Sequence, residues 1–227
     1  MEATPATPSA AKAIPAEILA EYAVPGATCI HGVTFDGTHV WLAAGPSDDL
    51  HCVDPATGAL VKRLGRSDCA SGLAFDGKNL WQICGQRIDC IDRATGRTIR
   101  SIPAPDAHLS GMAYAAGFLW VGDFAGRAIH KVDPETGKVL RTIRSERLVT
   151  GVTWAGAELW HGTYPEDTNS NEPGELREID AESGAVKRRV HLPAGTLVSG
   201  TESDGRGRIW LGSLVKEKAT LRAVKKP

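Results

Sequence analysis

The sequence lacks any excess of one charge: 26 basic residues stand against 27 acidic ones, and charged residues make up 23% of the chain. That balance excludes the basic footprint of a nucleic-acid binder. With 42% apolar residues the composition also excludes a disordered chain. Aromatic residues are scarce at 6%, yet six of them are Trp. No apolar stretch approaches the roughly 18 residues of a transmembrane helix, so no membrane is expected. Met1 to Ile14 is rich in Ala, Pro and Thr. It has neither an apolar h-region nor a leading positive cluster, unlike a secretory signal. A cytoplasmic location is expected as the sequence stands, and a periplasmic or secreted one if a leader has been removed. The five cysteines are an odd number and cannot all pair within the chain. The expectation is a soluble, reduced, single-domain protein.

What the chain does contain is repetition, the first thing to test for. The segments HGVTFDGTHVW, SGLAFDGKNLW, SGMAYAAGFLW, TGVTWAGAELW and SGTESDGRGRIW begin at residues 31, 71, 110, 150 and 199. Their glycines lie 40, 39, 40 and 49 residues apart. A second motif, such as VDPATGALVKRL or IDRATGRTIRSI, follows in four of the five units. Each unit reads as four short strands, a to d. An Asp-Gly or Ala-Gly turn joins a to b, and the Thr-Gly turn joins c to d. Four strands per unit of about 40 residues predicts an all-β, five-bladed propeller. Residues 1–15 are expected as a flexible segment and 16–227 as one domain. The last unit lacks a strand d, and Ala16–Pro25 resembles the d strands elsewhere, so the N-terminus is expected to close the ring.

The repeat F-D-G-x-x-L-W with I-D-x-x-T-G-x-x-L resembles the blades of YncE-like and streptogramin-lyase-like bacterial propellers. The lyase resemblance implies elimination chemistry with a His, a Glu and a magnesium ion. The five-blade count is similar to that of the bacterial and plant glutaminyl cyclases, which form pyroglutamate from N-terminal Gln. Their Asn-Glu-Leu-Glu segment has no counterpart here.

In a propeller the d-to-a and b-to-c connections share one face, around the channel mouth. Alignment of the repeats brings Cys29, His31, Cys69, Cys84, His108 and Asp123 from blades 1 to 3 toward that rim. Cys29, His31, Cys69 and His108 make a candidate set for zinc or copper, with Cys84 and Asp123 supporting. The same thiols offer a nucleophile with His31 or His108 as base. Against this stands packing, because free cysteine is often a small buried hydrophobe. Cys52 and Cys90 fit that role, and Cys69 and Cys84 lie close enough for a disulfide in an oxidising compartment. His161 maps to the same face, whereas His51 and His130 read as half-exposed strand residues.

Blade 4 carries a polar b–c insertion at 164–175, a potential lid in which Glu166, Asp167 or Glu172 offers a carboxylate. Glu202 replaces a small residue on the innermost strand. It is expected either as an acid/base or in a pair with Arg206 or Arg208. The leading expectation is a lyase- or hydrolase-type enzyme acting on a small molecule, with His31, His108, His161 and Glu202 as catalytic candidates. The competing one is a non-catalytic metal- or ligand-binding module or a protein-interaction propeller.

Overall fold

The computed structural model describes residues 11–227, except 48, 67, 68, 70, 165–171, 216 and 217. The chain forms β1 (Ala13–Pro15) and β2 (Ile18–Ala23), then five successive groups of strands. Blade 1 holds β3 (Cys29–Phe35), β4 (Val40–Gly45), β5 (Asp49–Val53) and β6 (Leu60–Leu64). Blade 2 holds β7 (Leu73–Phe75), β8 (Leu80–Cys84), β9 (Arg87–Ile91) and β10 (Thr98–Pro103). Blade 3 holds β11 (Leu109–Ala115), β12 (Phe118–Asp123), β13 (Ala128–Val132) and β14 (Val139–Arg144). Blade 4 holds β15 (Val152–Ala155), β16 (Glu158–Thr163), β17 (Glu175–Ile179) and β18 (Val186–His191). Blade 5 holds β19 (Thr196–Ser203), β20 (Arg208–Val215) and β21 (Lys218–Lys225).

β2 pairs antiparallel with β21, Tyr22 opposite Leu221, and supplies the fourth strand of blade 5. The ring is therefore closed between the two ends of the chain, as the missing d strand implied. The N-terminus goes one step further: β1 runs parallel to β18 and adds a fifth strand to blade 4.

The turns follow from their residues. In each D-x-x-T/S-G motif the Asp side chain accepts two backbone N–H groups, as Asp54 does from Ala56 at 2.7 Å and Thr57 at 2.9 Å. The glycine closing the turn has φ near +75° at Gly58, Gly96, Gly137 and Gly184, a conformation that only glycine adopts without strain.

A core forms at each of the five blade junctions. Trp41 is buried in the blade 1–2 junction, Trp81 in 2–3, Trp120 in 3–4, Trp160 in 4–5 and Trp210 in 5–1. One Trp per repeat thus fills each wedge between twisted sheets, which accounts for the scarcity of other aromatics. Cys52 and Cys90 are buried in these junctions, and burial pushes the Cys52 thiol up to about 11. They are packing residues, as expected.

Gly32, Gly72, Gly111, Gly151 and Gly200 form the neck of the ring. A Cβ on any of them would lie 2.4–2.8 Å from the backbone of the next blade's inner strand. No real side chain tolerates that approach, so the repeat's strand-a glycine is required by the closeness of five strands around one axis. Ser71 and Ser110, next to it, donate to backbone carbonyls of the following blade.

Candidate functional site

The neck divides the axis into two parts. On each inner strand, residues before the glycine lie toward the mouth and residues after it toward the a–b turns. Cys29 and His31 therefore stand on the mouth side, and Glu202 on the far side.

On blade 1, Cys29 and His31 alternate on β3 and face the same way. The Cys29 Sγ lies 3.0 Å from the His31 Nε2. Cys29 is half-buried and His31 exposed, so the pair meets solvent. Gly45, the cross-strand partner of Cys29, makes room for it: a Cβ there would sit 2.6 Å from the thiol and 3.8 Å from the imidazole. The sequence placed the pair at the rim; it gave no sign that Gly45 clears the space.

On blade 2 the equivalent cysteine has another fate. Cys69 and Cys84 form a disulfide, and both are buried. This corrects the expectation of a reduced chain and removes Cys69 and Cys84 from the proposed ligand set. Their sulfurs and an Asp89 oxygen do lie within 4.8 Å of one another. The cation there is the Arg66 guanidinium, 3.2 Å from the Cys69 Sγ and 2.7 Å from Asp89. A site whose sulfurs are bonded to each other and whose charge is met by arginine does not suit a metal.

The remaining candidates separate. His108 is exposed and leans on Asp106 at 3.3 Å rather than joining the blade 1 pair. Asp123 is buried and accepts from the Gly126 N–H at 2.8 Å, tying down the b–c turn of blade 3. His161 follows Trp160 on β16 and so points to the opposite sheet face, where its Nε2 lies 3.4 Å from the Ser145 Oγ. It is fully buried, with Nδ1 2.9 Å from the Gly162 carbonyl, and burial lowers its pKa to about 4. It is a neutral core histidine. His51 is also buried, not half-exposed, because it lies under Arg63.

Glu202 pairs with neither Arg206 nor Arg208. Arg208 holds Asp204 at 2.6 Å, and Arg206 donates to the Gly37 carbonyl. The Glu202 carboxylate accepts from Thr34 of blade 1 at 2.9 Å, Thr153 of blade 4 at 2.7 Å and its neighbour's backbone N–H, Ser203, at 2.9 Å. Some of its surface remains open, but the narrow axial space hydrates a charge poorly. Desolvation pushes its pKa up to about 7 against those three donors. It joins three blades below the neck and does not share a site with Cys29.

The mouth side also has a pocket of about 180 Å³ in blade 4, lined in part by Glu172 and Thr163. Beneath it Glu175 accepts from Arg177 at 2.7 Å, from His191 at 2.7 Å and from Arg189. Those donors hold its pKa down to about 2 despite burial. Glu175 faces His191 and Arg177 faces Arg189 across β17 and β18, so strict alternation puts four polar groups on one side. Within the basic run Lys187-Arg188-Arg189, Arg188 is tied to Glu178 and Arg189 to Glu175. Glu166 and Asp167 lie outside the described residues.

No family model and no curated protein matches the sequence. Among solved structures, the chain is similar to the crystal structure of Myxococcus xanthus glutaminyl cyclase. The TM-score is 0.74 at 18% identity, over 92% of this chain and 95% of that one. A second is Kuenenia stuttgartiensis hydrazine synthase, with a TM-score of 0.51 at 18% identity, over 83% of this chain and 56% of that one. The fold is the five-bladed propeller. At these identities the likeness concerns architecture, and function has to come from the site.

Proposed function

We propose that the protein is a hydrolase-type enzyme acting on a small carbonyl substrate at the channel mouth, with Cys29 as nucleophile and His31 as its base. The observation that carries this reading is the 3.0 Å contact between an accessible thiol and an imidazole, in space left open by Gly45. His31 Nε2 takes the thiol proton as Sγ attacks the carbonyl carbon, and the protonated imidazole returns that proton to the leaving group. Water then adds to the thioester, aided by the same imidazole, and releases the acid with the thiol restored. The glutaminyl cyclase likeness supports the reading to the extent that this scaffold serves an enzyme in a relative.

The buried disulfide favours an oxidising compartment, where such bonds persist. A second reading is half of a soft-metal site, because Cys and His are both ligands for zinc or copper. Turnover of a panel of small esters, thioesters and lactones tests the proposal. Activity lost in Cys29→Ser and His31→Gln but unchanged by chelator supports it. Activity that chelator abolishes and added zinc restores supports the metal reading. Activity retained in Cys29→Ser overturns both.

A further inference from the structure

Thr28 stands immediately before β3, and its backbone N–H donates to the Gly45 carbonyl at 2.9 Å. The residue is thereby pinned across from the glycine that leaves room for Cys29. Its side chain is exposed, and the hydroxyl donates to the Cys29 Sγ at 3.8 Å. Among the described residues that sulfur is the hydroxyl's only hydrogen-bond partner. Sulfur is a weak acceptor, so at this distance the hydroxyl loses little by turning to an oxygen.

Three groups border the gap that Gly45 leaves. A Cβ at Gly45 would lie 2.6 Å from the Cys29 Sγ, 3.8 Å from the His31 Nε2 and 3.9 Å from the Thr28 Oγ1. Nucleophile, base and hydroxyl donor therefore converge on one point. A carbonyl carbon entering there about 3 Å from the sulfur carries its oxygen within hydrogen-bond reach of the hydroxyl. As the Sγ–carbon bond forms, the carbonyl π pair moves onto that oxygen; it returns when the bond to the leaving group breaks. A donor already in place stabilises the developed charge more than the neutral carbonyl, and only that difference speeds the step.

We infer that Thr28 is a further catalytic residue, its hydroxyl donating to the oxyanion of the tetrahedral intermediate formed at Cys29. This role rests on the thiol–imidazole reading above and narrows its substrate class. Electrophiles that build negative charge on a carbonyl oxygen, such as esters, thioesters and lactones, gain from Thr28. Electrophiles attacked at a saturated carbon, such as haloacetamides, do not.

The test compares two reactions of one thiol in the whole protein. Acetylation of Cys29 by p-nitrophenyl acetate, followed by nitrophenolate release and located by mass spectrometry, passes through an oxyanion. Alkylation by iodoacetamide does not. In Thr28→Val, acetylation should slow about tenfold while alkylation stays within about twofold of the wild type; the exposed setting makes the loss smaller than the roughly hundredfold or more of a buried oxyanion donor. Thr28→Ser keeps the hydroxyl and should acetylate at close to the wild-type rate. Unchanged acetylation in Thr28→Val overturns the inference. So does an equal slowing of both reactions, which a merely structural role would give. Both of those outcomes leave the thiol–imidazole reading standing, whereas a wild type in which Cys29 is not acetylated overturns that reading and this role with it.

Discussion

Cys29 and Cys69 occupy the same place in successive repeats, yet one is an accessible thiol beside an imidazole and the other half of a buried disulfide. The backbone does not distinguish them. The neighbours do: blade 1 places His31 two residues on and Ala44 at the third position after the strand-b Trp, where blade 2 places Ser71 and Cys84. A repeat fixes where a side chain stands, and the residues filling its neighbouring positions decide what chemistry it has. The same holds below the neck, where Ala74 and Ala113 leave the axis neutral and Glu202 in the equivalent position brings in a titrating group.

The largest effect that separates the two cysteines is on stability. Replacing both Cys69 and Cys84 by Ser should cost about 3 kcal/mol, the closure entropy of a loop spanning the bond's separation of 15 residues. Denaturant unfolding would read this, and Cys29 alkylation should be unchanged in the variant. A coupled loss of Cys29 reactivity would mean that the two rims are not independent.

Next comes pH. Glu202 has its pKa raised in the folded state, so the native protein binds the extra proton. Its contribution to stability is complete below the unfolded value near 4.5, declines as pH rises, and is gone above about 7. Glu202→Gln should flatten that decline, removing on the order of 2–3 kcal/mol of the change between pH 4 and 8, followed by melting temperature. An unaltered slope would mean the carboxylate is better hydrated than the axis implies.

Gly45→Ala makes blade 1 more like a crowded site. The added methyl should force the thiol out of reach of His31, lowering Cys29 reactivity and costing about 1–2 kcal/mol of stability. The smallest stability effect belongs to Cys29→Ser, about 0.5 kcal/mol or less, because the residue is half-buried and its loss leaves no cavity. A cost as large as that of the disulfide pair would make Cys29 a packing residue and remove the contrast.

Most of the fold was legible in the sequence because the repeat carries it. The strand-a glycine of each repeat is required by the neck, the Trp by the wedge between blades, and the Asp and Gly by the c–d turn. Closure could be read from a missing strand d. β1 could not, since three residues carry no period. The site was harder. Alternation placed Cys29 and His31 side by side, but alignment of repeats treats every rim position as equally close to every other. It therefore gathered His108, Asp123 and His161 into a site from which geometry separates them. It also missed the Glu175–His191 and Arg177–Arg189 facing pairs, because cross-strand register decides those contacts and the insertion before β17 breaks the repeat's spacing.

The account rests on the Cys29–His31 pair. The most direct measurement is the rate of iodoacetamide labelling of each free cysteine against pH, resolved by mass spectrometry, in the wild type and in His31→Gln. The account predicts that Cys29 reacts far faster than Cys52 and Cys90. It also predicts that His31→Gln slows Cys29 labelling several-fold, because the base that takes the thiol proton is gone. A Cys29 profile identical in the two proteins would contradict it.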